Sequence, residues 1–300
     1  WSVAGGMHEL ALALARLAQA RGVALRYGAP VQRILVKGGR AAGVQLASGE
    51  LLAADSVVFN GDVNALASGL LGDELTAAAP ATPAHKRSLS AVTWAVNART
   101  SGFPLVRHNV FFEPDYRAEF DDIFVQRRLP RQGTVYVCAQ DRHCDAAEPG
   151  QPERLLCLVN APADGDRRPF GPEETDTCLQ QALGLMQHCG LQLHTAPQQV
   201  QLSTPATFER LFPATGGALY GPATHGWMML FKRAAAASKL PGLYLAGGSV
   251  HPGPGVPMAA MSGRLAAETL LAHLDSTSRS RRVATSGGTS TPSVTTASTG

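Results

Sequence analysis

A run of glycines and prolines at residues 247–257 is the stretch whose residue types and spacing could do chemistry. A short apolar run, residues 243–246, precedes it, and a segment rich in small residues follows it. Glycines let a backbone approach a phosphate closely, and the free N–H groups at the start of a helix point toward an anion. A strand, a glycine turn and a helix that opens at Pro257 therefore predict an anion cradle. The alternative interpretation is an ordinary tight turn.

The amino-acid sequence of this stretch resembles the C-terminal flavin motif of the bacterial phytoene desaturase family of carotenoid desaturases. The matching parts are the Gly-Leu-Tyr-Leu-Ala-Gly-Gly run at 242–248, the His-Pro-Gly-Pro-Gly-Val-Pro run at 251–257, and the Ser-Gly-Arg and Ala-Ala pairs at 262–267. Within the family, the chain is most similar to the hydroxycarotenoid 3,4-desaturases, also called methoxyneurosporene dehydrogenases. Related amine oxidases share the strand, the glycines and the Ser-Gly helix but lack the His-Pro-Gly-x-Gly-Val-Pro run.

The resemblance implies FAD as cofactor and a set of residues that contact it. Gly247 and Gly248 would lie where the pyrophosphate and ribityl chain pass. Many relatives have an acidic residue at the position of Gly248, so this chain would have to use backbone N–H groups there. The remaining predicted contacts are Val31 at the adenine and, at the flavin ring, Gly255, Val256, Pro257 and Met258.

Two of the motif positions have a plainer interpretation. Val31 and Ile34 keep the family's Val-x-x-Ile pattern, but Val31 would occupy a strand, and be buried, without any adenine. His251 stands between the glycines and Pro252, and we favour a turn residue over a catalytic one.

Alternating and helical patterns predict the elements that must position the motif. The predicted helices include one that carries Leu10, Leu14 and Leu17 and ends at Gly22, one at 63–71 that Asp62 could cap, and others at 174–189 and after the Thr204-Pro205 pair. The predicted strands are 23–27, 31–36, 43–46, 51–53, 56–59, 89–96, 110–112, 134–139 and 155–159. We expect 56–59 to be buried on both faces, because it is almost uniformly apolar.

These patterns and the resemblance predict a mixed α/β fold. It would be the FAD/NAD(P)-binding Rossmann-like flavoprotein fold without its N-terminal βαβ unit, and with an inserted substrate domain. The predicted divisions are 1–71 for the middle of the FAD-binding domain, 72–241 for the substrate-binding domain, 242–275 for its C-terminal motif and 276–300 for a disordered tail. The mixture of predicted strands, helices and apolar residues in 72–241 also suits an ordinary hydrophobic core. The prediction of a substrate tunnel there therefore depends on the resemblance.

A second cluster similar to the family lies before the motif, with a glycine–tyrosine turn at 216–221 and the basic residues Lys232 and Arg233 after Phe231. Between them, His225 and Trp227 could face the flavin or the substrate, but a histidine beside glycines is more often a loop residue.

The amino-acid composition limits the classes of function that the chain can have. The 300 residues contain 26 basic and 23 acidic side chains, a balance that gives no reason to expect a nucleic-acid partner. The five cysteines form no C-x-x-C pair, and we expect no metal site and a reduced cytoplasmic environment. No apolar run has the length of a membrane span, so contact with the inner membrane would be peripheral.

The chain opens at Trp1 and shows no G-x-G-x-x-G fingerprint, from which we expect a C-terminal fragment. The segment after Ser276 is mostly Ser, Thr, Gly and Ala, a composition typical of a solvated tail, although its arginines could touch anionic lipid.

The resemblance implies a flavin that takes a hydride from one carbon of a long-chain carotenoid substrate while a proton leaves the neighbouring carbon. This reaction would introduce a C=C bond at C-3,4 of a 1-hydroxy or 1-methoxy carotenoid. No side chain performs such a reaction alone, so a redox cofactor is required. No catalytic residue is assigned. The alternatives are another flavin oxidoreductase of the same fold, such as an amine oxidase or a carotenoid isomerase, and an inactive truncated chain.

Overall fold

The computed structural model describes residues 3–142, 151–196, 199–223 and 233–283. Its α-helices are α1 Met7–Ala20, α2 Val63–Ala67, α3 Tyr116–Phe120, α4 Pro172–His188, α5 Pro205–Leu211 and α6 Val256–Val283. Its strands are β1 Val31–Lys37, β2 Arg40–Leu46, β3 Leu51–Ala53, β4 Val57–Phe59, β5 Ser90–Ser101, β6 His108–Phe111, β7 Val135–Ala139, β8 Glu153–Ala161, β9 Gln192–His194, β10 Val200–Ser203 and β11 Leu243–Leu245.

The two ends of the described chain meet in one part of the molecule. Strands β1, β2 and β3 form an antiparallel sheet, and β4 pairs in parallel with β11 although they are far apart in sequence. The Ala41 amide donates to the Pro241 carbonyl and so joins the two sheets. Ile34, Leu66, Leu243 and Leu245 belong to the apolar core that they share.

The middle of the chain forms a six-stranded sheet in the order β10-β5-β8-β7-β6, with β9 paired to the end of β5. Helix α4 covers one face of this sheet. Every second residue of β8, from Leu155 to Ala161, packs with Trp94 and with Cys178 and Met186 of the helix. This region therefore contains its own hydrophobic core.

The mixed α/β architecture confirms the predicted fold class, and most predicted strands are present. The helix starts predicted from neighbouring residues are also present. The Asp62 side chain accepts a hydrogen bond from the Asn64 amide and caps α2, and Pro205 opens α5 behind Thr204. No helix within the described ranges is long and apolar enough to span a bilayer.

Several sequence-based expectations were wrong. Residues 23–27 form no strand, because no strand of the described chain pairs with them. Val58 is 47% exposed rather than buried, because the β4–β11 sheet has only two strands. Helix α2 ends at Ala67, and α6 continues to Val283, into the segment assigned to a tail.

Helix α1 has an apolar stripe without a partner among the described residues. Its pattern is amphipathic, as predicted, but none of its residues is buried, and Leu14 and Leu17 are 59% and 53% exposed. Arg21 closes the helix and Gly22 follows with φ 82°, a conformation typical of a helix C-terminus.

Candidate functional site

The glycine turn, residues 247–257, lies at the carboxyl ends of two parallel strands. Leu245 pairs with Phe59, and the Ala246 amide donates to the Phe59 carbonyl over 3.0 Å. The chain therefore leaves both strands at the same edge of the sheet, the edge at which ligands bind in open α/β folds. There, a Cβ added to Gly247 would lie 3.0 Å from Asn60 Oδ1.

Gly247 has a conformation that other residues rarely adopt. Its φ is 118°, and its amide donates to Ser262 Oγ over 2.8 Å. Ser262 is completely buried and its hydroxyl in turn donates to the Ala259 carbonyl. This serine fastens the first residue of the turn to helix α6, so a small polar side chain is required where the sequence shows Ser-Gly.

Arg233 holds the backbone of Gly248, the next residue of the turn. Its side chain donates to the Gly248 carbonyl over 3.1 Å and to the carbonyls of Tyr220 and Pro222 over 3.0 and 3.3 Å. The residue is only 7% exposed, and its Nε has no hydrogen-bond partner among the described residues. Burial lowers the pKa of Arg233, while the nearby Asp62 carboxylate opposes this effect.

Asp62 and Ser249 form a polar layer behind the turn. The Val63 amide donates to Ser249 Oγ over 3.2 Å, which ties the turn to the start of α2. Burial raises the pKa of Asp62, and hydrogen bonds from Asn64 and Ser249 and the charge of Arg233 act in the opposite direction. The layer thus carries a carboxyl group whose ionised form is partly disfavoured.

The end of the turn is open. Gly255 has φ 100°, and nothing lies within 4 Å of the position that its Cβ would occupy. Helix α6 begins at the next residue, where Val256 and Met258 are 53% and 41% exposed and Pro257 is exposed as well. A bare helix start beside exposed apolar side chains fits a ligand with an anionic group and a flat apolar ring.

The other predicted site residues are placed as follows. Gly247 and Gly248 are half-buried within the turn. Val31 is 42% exposed, not buried, and lies on β1, an outer strand of the three-stranded sheet. Its strand reaches the turn indirectly, because Ile34 shares a core with Leu245.

The structure describes only one of the two histidines that the sequence singled out. The His251 amide donates to the Ala234 carbonyl, and a cis peptide bond joins the residue to Pro252, so its backbone is part of the turn. His225, together with Trp227, lies outside the described residues.

The six-stranded sheet presents a second surface. Side chains alternate across a strand, so every residue between those that face α4 points to the opposite side, which we call the open face. Its central cross-strand pairs are Ala95 with Leu156, Leu156 with Cys138, Leu158 with Tyr136, and Tyr136 with Val110. The centre of this face is apolar and only partly covered, since Val110 is 47% exposed and Leu158 is half-buried.

The sequence carried weak signals for the residues that hold the turn. Arg233 was noticed only as a basic residue after an aromatic one, and Ser262 only as a small residue. Their hydrogen bonds reach Tyr220 and Gly247, at sequence separations that no local pattern reveals. Asp62 was predicted as a helix cap but not as a neighbour of Arg233.

Comparison with known proteins supports the fold and the cofactor class. The sequence pattern of the family described as "Flavin containing amine oxidoreductase" matches residues 1–271. A solved oxidoreductase from Methanosarcina mazei superposes with a TM-score of 0.50 at 18% identity, which covers 86% of this chain and 53% of that one and indicates a shared fold.

Two curated relatives are much more similar in sequence. A hydroxyneurosporene desaturase from Rubrivivax gelatinosus is 71% identical over 296 residues, which are 99% of this chain and 56% of the relative. A hydroxyneurosporene desaturase from Cereibacter sphaeroides is 50% identical over 279 residues, 93% of this chain and 55% of the relative. The chain thus spans about half the length of the curated relatives that it matches.

Proposed function

The chain belongs to the flavin-containing amine oxidoreductase family, and on this premise we propose that it forms part of an FAD-dependent carotenoid desaturase. The observation that carries the proposal is the glycine turn, with Gly247 and Gly255 at positive φ and an open helix start at the ends of two parallel strands. The likeness to the two hydroxyneurosporene desaturases supports a carotenoid as substrate.

The residues present fit a flavin nucleotide. Gly247 and Gly248 offer backbone without side chains where the pyrophosphate and ribityl chain would pass, and Val31 would approach the adenine. Gly255, Val256, Pro257 and Met258 would present the start of α6 and an apolar surface to the ring. When bound, the flavin supplies an acceptor for the hydride that leaves the carotenoid.

The chain's own residues have three tasks in this reaction. Ser262 and Arg233 hold the turn rigid, so that the cofactor and substrate keep a fixed orientation. The open face of the six-stranded sheet offers an apolar surface to a long hydrocarbon and excludes water from it. The conjugated chain of the substrate spreads developing charge, so the proposal assigns no acid or base to a side chain.

We place the new double bond at C-3,4 of a 1-hydroxy or 1-methoxy carotenoid, because the motif is most similar to desaturases of that type. The protein would act in the cytoplasm with peripheral contact at the inner membrane, where such a substrate dissolves.

Product analysis tests the proposal. The full-length protein with FAD, incubated with 1-hydroxyneurosporene, is expected to form a carotenoid that has lost two hydrogens and absorbs at longer wavelength. Chromatography with mass detection measures both changes. An unchanged carotenoid in the presence of bound flavin, with turnover of an amine instead, would replace the proposal with an amine oxidase.

A further inference from the structure

The open face ends at a polar cluster that the desaturation chemistry does not use. At the β6–β7 edge, Tyr136 Oη lies 2.7 Å from His108 Nδ1, and the two rings stack with centroids 6.1 Å apart. On the neighbouring positions of the same face lie Cys138, which pairs with His108, and Val110, which pairs with Tyr136. At this edge, a group of hydrogen-bonding atoms thus borders the apolar centre of the open face.

The chemistry of this cluster suits a neutral polar ligand. Burial, together with the neighbouring Cys138 thiol, raises the pKa of Tyr136 to about 12, so the phenol remains protonated at neutral pH. When its proton is donated to His108 Nδ1, the phenol oxygen keeps lone pairs that can accept a hydrogen bond. The guanidinium of Arg107 is close enough to lower the pKa of Tyr136, and its Nη1 is buried without a partner among the described residues.

The cluster is connected to the glycine turn. Tyr220 affects the pKa of Tyr136 electrostatically, so the two side chains are near one another. The backbone of Tyr220 is anchored to Ser88, just before β5, and its carbonyl accepts from Arg233, which also donates to the Gly248 carbonyl. The backbone of Tyr220 is therefore held beside the turn, while its side chain lies within electrostatic range of Tyr136.

We propose that His108 and Tyr136, assisted by Arg107, bind the oxygen at C-1 of the carotenoid and so select oxygenated substrates over hydrocarbons. The inference rests on the proposed function. In such a substrate C-1 is only two bonds from C-3, where the reaction occurs, so the group that recognises the oxygen must lie beside the flavin site. Among the described residues, this cluster combines an apolar approach, uncommitted hydrogen-bonding capacity and a connection to the turn.

Two kinds of contact would contribute to the free energy of substrate binding. The apolar pairs Leu156–Ala95 and Leu158–Tyr136 would contact any long polyene and contribute equally to all carotenoids. The polar cluster discriminates, because a substrate without the hydroxyl leaves the buried Arg107 Nη1 without a partner and offers no donor to the free lone pairs of Tyr136 Oη. A hydrogen bond between neutral groups corresponds to a preference on the order of tenfold.

The test compares 1-hydroxyneurosporene with neurosporene, which lacks the oxygen, in the FAD-loaded full-length protein. For Tyr136→Phe we expect the preference for the hydroxylated substrate to fall about tenfold. The loss should arise through KM and through the equilibrium dissociation constant, measured by quenching of tryptophan fluorescence. The flavin content should not change, and the loss for 1-hydroxyneurosporene should exceed any loss for neurosporene. His108→Leu, at an exposed position, should give the same loss and replaces Tyr136→Phe if that variant does not fold.

Tyr27→Phe is the matched control, because Tyr27 is 82% exposed and far from the sheet in sequence. An unchanged preference in both variants, with flavin bound and the wild-type protein active on 1-hydroxyneurosporene, would overturn the inference alone. Failure of the wild-type protein to bind either carotenoid would instead overturn the proposed function, and the inference with it.

Discussion

The six-stranded sheet and the β4–β11 pair are held together in different ways. The six-stranded sheet buries Trp94, Val137 and Val159 against α4 and draws its stability from apolar packing. The β4–β11 pair has only two strands, leaves Val58 47% exposed, and ends in a turn fixed by buried polar contacts of Arg233 and Ser262. The six-stranded sheet depends on side-chain volume and the glycine turn on backbone geometry, so the sheet should suffer most from removed volume and the turn from added volume.

Removing volume from the six-stranded sheet is expected to have the largest effect. Trp94 is 2% exposed in the core, so Trp94→Ala should lower the free energy of unfolding by about 3–5 kcal/mol. Denaturant titration measures this. Phe112→Ala, at a ring 66% exposed, is the control and should cost much less. Equal losses in the two variants would show that this sheet does not depend on its core.

Adding volume to the glycine turn should remove the cofactor while the sheet remains folded. Gly255 has φ 100° with open space around it, so Gly255→Val strains the backbone and blocks close approach to the helix start. We expect FAD affinity in the full-length protein to fall roughly hundredfold, about 2.7 kcal/mol, in equilibrium dialysis.

The control for that variant is Gly49→Val, at a turn with φ 89° and equally open surroundings between β2 and β3. It should carry similar strain but retain the flavin. If Gly255→Val purified with normal flavin content, the cradle would be wrongly placed.

Removing Arg233 tests whether polar contacts hold the turn. Arg233→Met leaves the carbonyls of Gly248, Tyr220 and Pro222 without this donor, and we expect a cost of about 2 kcal/mol, seen as weaker FAD binding and a lower melting temperature. Arg264→Met removes only an exposed pair with Glu268 and should be nearly neutral. A neutral Arg233→Met would assign the rigidity of the turn to the glycines alone.

The smallest effect is a pH dependence from Asp62. Its pKa is raised in the folded protein, so the folded state holds the proton more tightly, and the associated stability is lost as pH rises through that pKa. Asp62→Asn keeps the cap oxygen and removes the buried charge. The variant should be more stable than wild type at pH 7, by no more than about 1 kcal/mol, and the difference should shrink toward pH 4. The predicted direction would be wrong if the stability of the variant, measured relative to wild type, were lower at pH 7 than at pH 4.

The sequence predicted what local chemistry determines. The glycine turn at 247–257, the Asp62 cap and the Thr204–Pro205 start depend on neighbouring residues, and all three are present. Residues 23–27 alternate like a strand but have no partner strand in the described chain. Burial of Val58 could not be predicted either, since it depends on what covers the sheet.

The residues that complete the site come from distant parts of the chain. Arg233 joins Gly248 of the turn to Tyr220 and Pro222, and Ser262 of α6 accepts a hydrogen bond from the Gly247 amide at the start of the turn. His108 and Tyr136 come together only because β6 and β7 pair in one particular register. A single sequence holds no signal for such contacts beyond the residue types themselves.

The proposed flavin at the glycine turn must be reduced when a carotenoid binds beside it. The anaerobic absorbance spectrum of the full-length, FAD-loaded protein after addition of 1-hydroxyneurosporene measures this reduction. We expect the flavin band to bleach while the carotenoid spectrum shifts to longer wavelength. A flavin band that stays oxidised with every carotenoid offered would contradict it.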